Sequence, residues 1–328
     1  MMRNVGSSSS SGKGIAAVVG VGPQLGRSVA RKFAHEGYTV AILARDLGRL
    51  SRVAEEIARE EKAQVFAIRI DCADPRSVRE AFEGVLSLGF VEVLVYNAYH
   101  SSSSYPSHHP TSFTHIPFQS FQTSISVSVF AAFLCAQQVY VCPNLDKILV
   151  NIAGVIKVYQ TLIFFAKMNK IISLIWYKKV IPGMMDKGKG TILFSGCSAS
   201  LNGVAGFSEL CCGKFALRAL SQCLAREYQA FGIHVAHVII DGVVGPPSAG
   251  YDKIFPKFAF RERNIAPRGT VAEQSFNTGG QDGEGEGESS GVMGMDPDVL
   301  AQIYWSLHVQ DQRAWTQELD IRPSNTRF

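Results

Sequence analysis

The run Gly20-Val21-Gly22-Pro23-Gln24-Leu25-Gly26 is the stretch of this chain best suited to hold a charged ligand. Glycines let backbone approach a diphosphate closely, and the N–H groups and dipole of a following helix start hold its charge. The run sits between the apolar segment Ile15–Val19 and a stretch in which Val29 and Phe33 share a helical face. A glycine-rich match alone is weak, but between a first strand and a first helix it points to a dinucleotide turn. The next apolar run ends in Ala44-Arg45-Asp46. An acid there suits a free ribose 2′-hydroxyl, and an arginine suits a 2′-phosphate. The residues alone leave both open.

Two other clusters invite chemical readings. Adjacent Cys211-Cys212 could form a vicinal redox pair, but neighbours on a helix point about 100° apart. No metal spacing surrounds them, so a structural role is expected. His100, His108, His109 and His115 crowd a Ser/Pro-rich stretch with no carboxylate or cysteine partner. That reads as a solvated loop, and no metal site is expected.

The elements that must position the glycine run alternate as in a parallel sheet covered by helices. Strands are expected at Ile15–Val19, Thr39–Ala44, Val65–Ile70, Val91–Tyr96, Thr191–Phe194, Val235–Ile240 and Glu318–Ile321. Most are unbroken Val/Ile/Leu runs, the pattern of strands buried on both faces. Between them, one helical stripe stops at Gly37, and Leu50, Val53 and Ile57 form another. Asp74-Pro75 opens a third helix, with an N-cap candidate followed by proline. Seven strands at this spacing predict an α/β fold: a doubly wound parallel sheet in a Rossmann-type three-layer αβα sandwich.

The 328 residues are 46% hydrophobic and 18% charged, which suits one large α/β domain and excludes collagen-like, coiled-coil or wholly disordered chains. Seven cysteines are an odd, sparse count, and no apolar leader follows the Met1–Gly14 start. A cytoplasmic chain with reduced thiols is expected. No uncharged apolar run is expected to reach the roughly 18 residues of a membrane span. The net charge of +4 is concentrated in Val139–Lys179, with six lysines and one aspartate, so no nucleic-acid partner is expected.

On these motifs the chain resembles the short-chain dehydrogenase/reductase family, from Gly14 to about Pro247 and again from Asp296 to Pro323. The family's loop is Thr-Gly-x-x-x-Gly-x-Gly. Gly20 and Gly26 match its first and third glycines, while Val19 replaces the threonine and Gln24 the middle glycine. Gly22 is expected to return part of the lost flexibility, and Leu25 completes the loop's cofactor-binding set. By the resemblance, Ala44-Arg45 favours NADP(H) over NAD(H), although Asp46 could face a hydroxyl instead. Asp71 closes the third strand, where the family places an acid near the adenine. Asn97 and Ala98 match the family's Asn-Asn-Ala-Gly, and Tyr99 replaces its glycine. The Tyr99 ring either narrows the cofactor space or turns outward.

The resemblance also implies a catalytic set. A tyrosine gives the proton, helped by a lysine that also grips the nicotinamide ribose; a serine positions the carbonyl oxygen, and an asparagine orders a water. Gly206–Leu217 aligns with the family's Tyr-x-x-x-Lys helix. Lys214 is in place, but Leu210 stands at the tyrosine, and Phe207 at the earlier position that enoyl-carrier-protein reductases use. Cys197 stands at the serine with Ser198 next to it as a stand-in, and Ser128 stands at the asparagine. The catalytic candidates are therefore Ser198 and Lys214, with water, Glu209 or Cys211 as the proton source. Ser200, Asn202 and Gly206 are expected on the substrate side.

Reductases of conjugated dienoyl-CoA thioesters in this family do without the tyrosine. The implied function is an NAD(P)-dependent oxidoreductase of altered or weak activity on an unknown carbonyl or enoyl substrate. The alternative is a nucleotide-binding protein without turnover, or a defective splice product. A homodimer or homotetramer would form through the Lys214 helix and the helix after the fourth strand.

The expected organisation is a flexible tail over 1–13 and one domain over 14–323. A flexible substrate-side loop spans 248–295, and an insertion spans Val139–Lys179. About half of that insertion is Phe, Tyr, Asn, Lys and Ile. Joining Gln138 to Val180 restores the family's Pro-Gly-Met ending. The segment reads as translated intron, since GT opens a valine codon and AG ends a lysine codon. A genuine helical insertion is the alternative.

Overall fold

A computed structural model describes residues 13–100, 112–137, 180–245 and 294–324. The expectations for the tail, for His108 and His109, for Val139–Lys179 and for most of the 248–295 loop lie outside these residues.

All seven expected strands form: β1 Ile15–Val19, β2 Thr39–Ala44, β3 Val65–Arg69, β4 Val91–Tyr96, β5 Gly190–Gly196, β6 Ile233–Ile240 and β7 Glu318–Ile321. They make one parallel sheet in the order β3-β2-β1-β4-β5-β6-β7. The order reverses between β1 and β4, which leaves a crevice at the carboxyl ends of the strands. β3 stops a residue early, whereas β5 and β6 run longer than their apolar cores.

Alternate residues of each strand feed two cores. On one face Val18, Ile42, Val95 and Val238 pack under α1 (Leu25–His35), α2 (Leu47–Glu61) and the late helix Pro297–His308. On the other, Val19, Leu43, Leu94 and Ile192 meet α3 (Pro75–Leu88), the helix after β4 and the helix carrying Lys214. The caps are local chemistry. Asp46, Asp74 and Asp296 each accept a backbone N–H from the first turn of α2, α3 and the late helix.

After β4 the chain runs as α4 (Phe118–Ile125), a π-helical turn (Ser126–Phe130) and α5 (Ala131–Gln137). The 20 uncharged residues Phe118–Gln137 are long and apolar enough to cross a membrane, contrary to the sequence expectation. Val127, Ala131, Ala132 and Cys135 pack into the sheet's core, while Phe118, Phe130 and Phe133 are exposed. Then follow α6 (Val180–Lys187), which packs on α5, α7 (Ser208–Tyr228), which carries Lys214, and α8, the late helix Pro297–His308.

Candidate active site

The glycine turn is built by close approach. Gly20 has φ +85°, and a Cβ there would stand 2.5 Å from Ala98 N. A Cβ on Gly26 would stand 2.8 Å from Val21 Cα. Asn97 ties the turn to β4: its backbone N–H donates to Val19 O (2.8 Å) and its Nδ2 to Gly20 O (3.1 Å). From the other side, the Arg49 guanidinium donates to Val21 O at 3.2 Å, a contact the sequence reading missed. Gly22 does not take a left-handed backbone. A Cβ there would meet nothing within 4 Å, so the space beside the loop is open.

Leu25 is buried at the start of α1. Gln24 precedes it and makes no side-chain cap bond. Its carboxamide instead lies against Gly245, beyond β6, where a Cβ would stand 2.5 Å from Gln24 Cδ.

At the ends of β2 and β3 the polar residues divide their work. Asp46 Oδ1 accepts Arg49 N–H at 3.0 Å and caps α2. Arg45 is exposed, and none of the described carboxylates forms an ion pair with it. Asp71 Oδ1 accepts Ala73 N–H (3.0 Å), which shapes the turn into α3. Tyr99 turns outward, 56% exposed.

Lys214 is 6% exposed, and its Nζ donates to Ser195 O at 2.8 Å. Burial lowers the ammonium's pKa, and the Cys197 thiol lies within electrostatic reach. Ser195 is held from its other side by Tyr304, with 2.6 Å between the hydroxyls. Ser198 is buried in the helical turn Ser198–Ser200. Ser200 is fully buried and faces His237 Nε2 at 3.5 Å, so it does not line an open substrate face as expected. Asn202 is exposed, and Gly206 takes a positive φ of +84°.

A model of the short chain dehydrogenase family matches residues 14–156 and 144–249, most of the chain. The chain belongs to the short-chain dehydrogenase family. An uncharacterized oxidoreductase of Caenorhabditis elegans is 39% identical over 86 residues, 26% of this chain and 28% of the relative. A probable 2,4-dienoyl-CoA reductase of the same organism is 37% identical over 71 residues, 22% of this chain and 23% of the relative. The chain thus spans about a quarter of the length of the curated relatives it matches. An alcohol dehydrogenase from the archaeon Thermococcus sibiricus, solved with 5-hydroxy-NADP, is 17% identical. It superimposes with a TM-score of 0.62 over 96% of this chain and 99% of its own, a likeness of fold.

Leu210 lies four residues before Lys214 on α7 and offers no proton. Ser128 is buried in the π-helical turn. Such turns cluster at functional sites, and no periodicity in the sequence signals this one. Cys211 is buried and accepts Val204 N–H at 3.3 Å, and burial raises its pKa; Cys212 beside it is exposed. The two thiols diverge as helical spacing requires. Glu209 Oε1 is buried without a hydrogen-bond partner. Among the described residues there is no metal-binding cluster.

Proposed function

We propose that this chain is an NADP(H)-dependent oxidoreductase acting on a conjugated enoyl carbonyl compound, with little activity on simple ketones. The observation that carries the reading is Lys214, buried and bonded to Ser195 O, with Leu210 one turn away. The lysine can hold ribose hydroxyls, but it has no tyrosine to acidify.

The cradle at Gly20 and Gly26, the open space at Gly22 and the exposed Arg45 guanidinium fit the adenosine and phosphate parts of a nicotinamide dinucleotide. When bound, that group supplies a hydride. Arg45 favours a 2′-phosphate because Asp46 is committed to capping α2. Glu209, whose buried Oε1 is unsatisfied at the start of α7, is the residue we assign to proton delivery. The name of the 37%-identical relative supports an enoyl thioester substrate. Exposed Phe130, Phe133 and Phe215 support a homodimer across α5 and α7, where the family resemblance puts that contact.

Titration of NADPH fluorescence, followed by turnover with a conjugated dienoyl thioester and with a ketone, tests the reading. Binding with reduction of the thioester alone is expected, and Glu209→Gln should lose turnover while keeping NADPH affinity. Equal reduction of the ketone would refute the enoyl assignment. Binding without any turnover would select the second reading, a nucleotide-binding protein, which Leu210 favours.

A further inference from the structure

The contact between Gln24 and Gly245 joins two parts of the chain that the sheet holds apart. Gln24 belongs to the turn after β1, and Gly245 to the segment leaving β6. β4 and β5 lie between those strands, so the strand axes are separated by three spacings, roughly 14 Å. The two segments meet beyond the ends of β4 and β5, on the side of the switch point where Lys214 bonds Ser195 O of β5.

The seat is rigid and shaped for the side chain. Gly245 has φ +88°, and a Cβ there would collide with the carboxamide. Its N–H donates to Met295 O (2.8 Å), while Met295 N–H donates to Val243 O (2.7 Å). Gly245 is therefore pinned, and any opening must come from Gln24. The other half of the crevice differs. Gly22 faces open space and Arg45 is exposed, over the ends of β1 and β2.

We infer that the Gln24 carboxamide, seated on Gly245, closes the nicotinamide half of the groove, so that the open half takes a 2′-phosphorylated adenosine nucleotide in preference to the whole dinucleotide. This rests on the nucleotide reading above. A whole dinucleotide must first displace and reorder the glutamine side chain. An adenosine 2′,5′-bisphosphate ends at the loop and leaves that side chain in place. Gln24 is then a specificity-determining residue, placed where the family has glycine.

Calorimetric titration of the full chain and of Gln24→Gly, with adenosine 2′,5′-bisphosphate and with NADPH, tests this. The parent chain should bind the bisphosphate at least as tightly as NADPH. Gln24→Gly should tighten NADPH about three- to tenfold, the scale of immobilising one flexible side chain, and leave the bisphosphate within about twofold. Gln24→Ala should act in the same direction. The bisphosphate reports whether each variant is folded. NADPH bound about tenfold more tightly than the bisphosphate by the parent chain, or a variant that shifts both ligands equally, would overturn the inference alone. If neither ligand binds the parent chain, the nucleotide reading itself fails.

Discussion

Ser128 and Gly213 press together where the π-helical turn crosses α7: a Cβ on Gly213 would stand 2.7 Å from Ser128 Oγ. One turn earlier, Ser124 Oγ donates to Glu209 O at 3.1 Å. Lys214 follows Gly213 directly, so this close approach sets the depth of the helix that carries it. Gly213→Ala should cost about 1–3 kcal/mol by overpacking, and adding Ser128→Ala should recover part of it. Denaturant midpoints of the two variants check this. A neutral Gly213→Ala would mean the helices have room to spare.

Lys214 without its tyrosine keeps one task. Lys214→Ala should weaken NADPH binding by about 1.5–3 kcal/mol, roughly 10- to 100-fold. Leu210→Tyr returns a hydroxyl one turn away and should raise ketone reduction above background in a chain lacking Val139–Lys179. If the parent already reduces ketones as fast as that variant, another group delivers the proton.

Arg45 and Asp46 are neighbours with separate duties, and single substitutions should separate them. Arg45→Ala should weaken NADPH and leave NADH unchanged, because only the former carries the 2′-phosphate. Asp46→Ala should lower stability by about 1 kcal/mol through the lost α2 cap and leave the NADPH/NADH preference alone. Parallel titrations and melting curves distinguish these outcomes. A changed cofactor preference in Asp46→Ala would reassign the ribose contact.

Two histidines, the buried His237 and the half-buried His308, set an acid limit. Burial, and then the Lys214 ammonium, hold His237 down at about 4. Burial does the same to His308, also at about 4, where its ring nitrogens contact Thr191 Oγ1 (2.9 Å) and Tyr38 OH (2.7 Å). Unfolded histidine titrates near 6.5, so between about 4 and 6.5 the unfolded chain binds more protons. Stability from these sites is complete above about 6.5 and falls as pH drops, by about 1.4 kcal/mol per pH unit for each histidine. Urea midpoints from pH 7.5 to 4.5 should decline accordingly. A flat profile would show that the two rings titrate alike in the folded and the unfolded chain.

Deleting Val139–Lys179 should raise soluble yield and thermal stability. α5 ends at Gln137 and α6 begins at Val180, and the two helices pack together without the intervening segment being part of either. Equal yield and melting temperature for the two chains would count against this expectation, and the intron reading itself is decided by the genomic sequence. Without GT at codon 139 or AG at codon 179, that reading fails.

Most of the strands were legible because they are buried apolar runs, and the caps because Asp and Pro act on their own neighbours. Asp46 shows the limit of that legibility. Its type and place suit either a ribose or a helix cap, and only the position of Arg49 N–H decides. Gln24 reads from sequence as a lost glycine; that its side chain reaches Gly245 depends on a fold that brings residues 221 positions apart together. The uncharged helix Phe118–Gln137 was under-read because its serines and glutamines broke the apolar run. Two of those serines, Ser124 and Ser128, are the residues that meet α7.

The pairing of Val244 with Met295 pins both ends of the intervening chain to one point beyond β6. Everything between them is therefore an excursion whose length the sheet does not register. Closing a loop costs only about 0.6 kcal/mol more for each doubling of its length. This point works as a socket: the number of residues between Val244 and Met295 can change while the register of the strands stays the same.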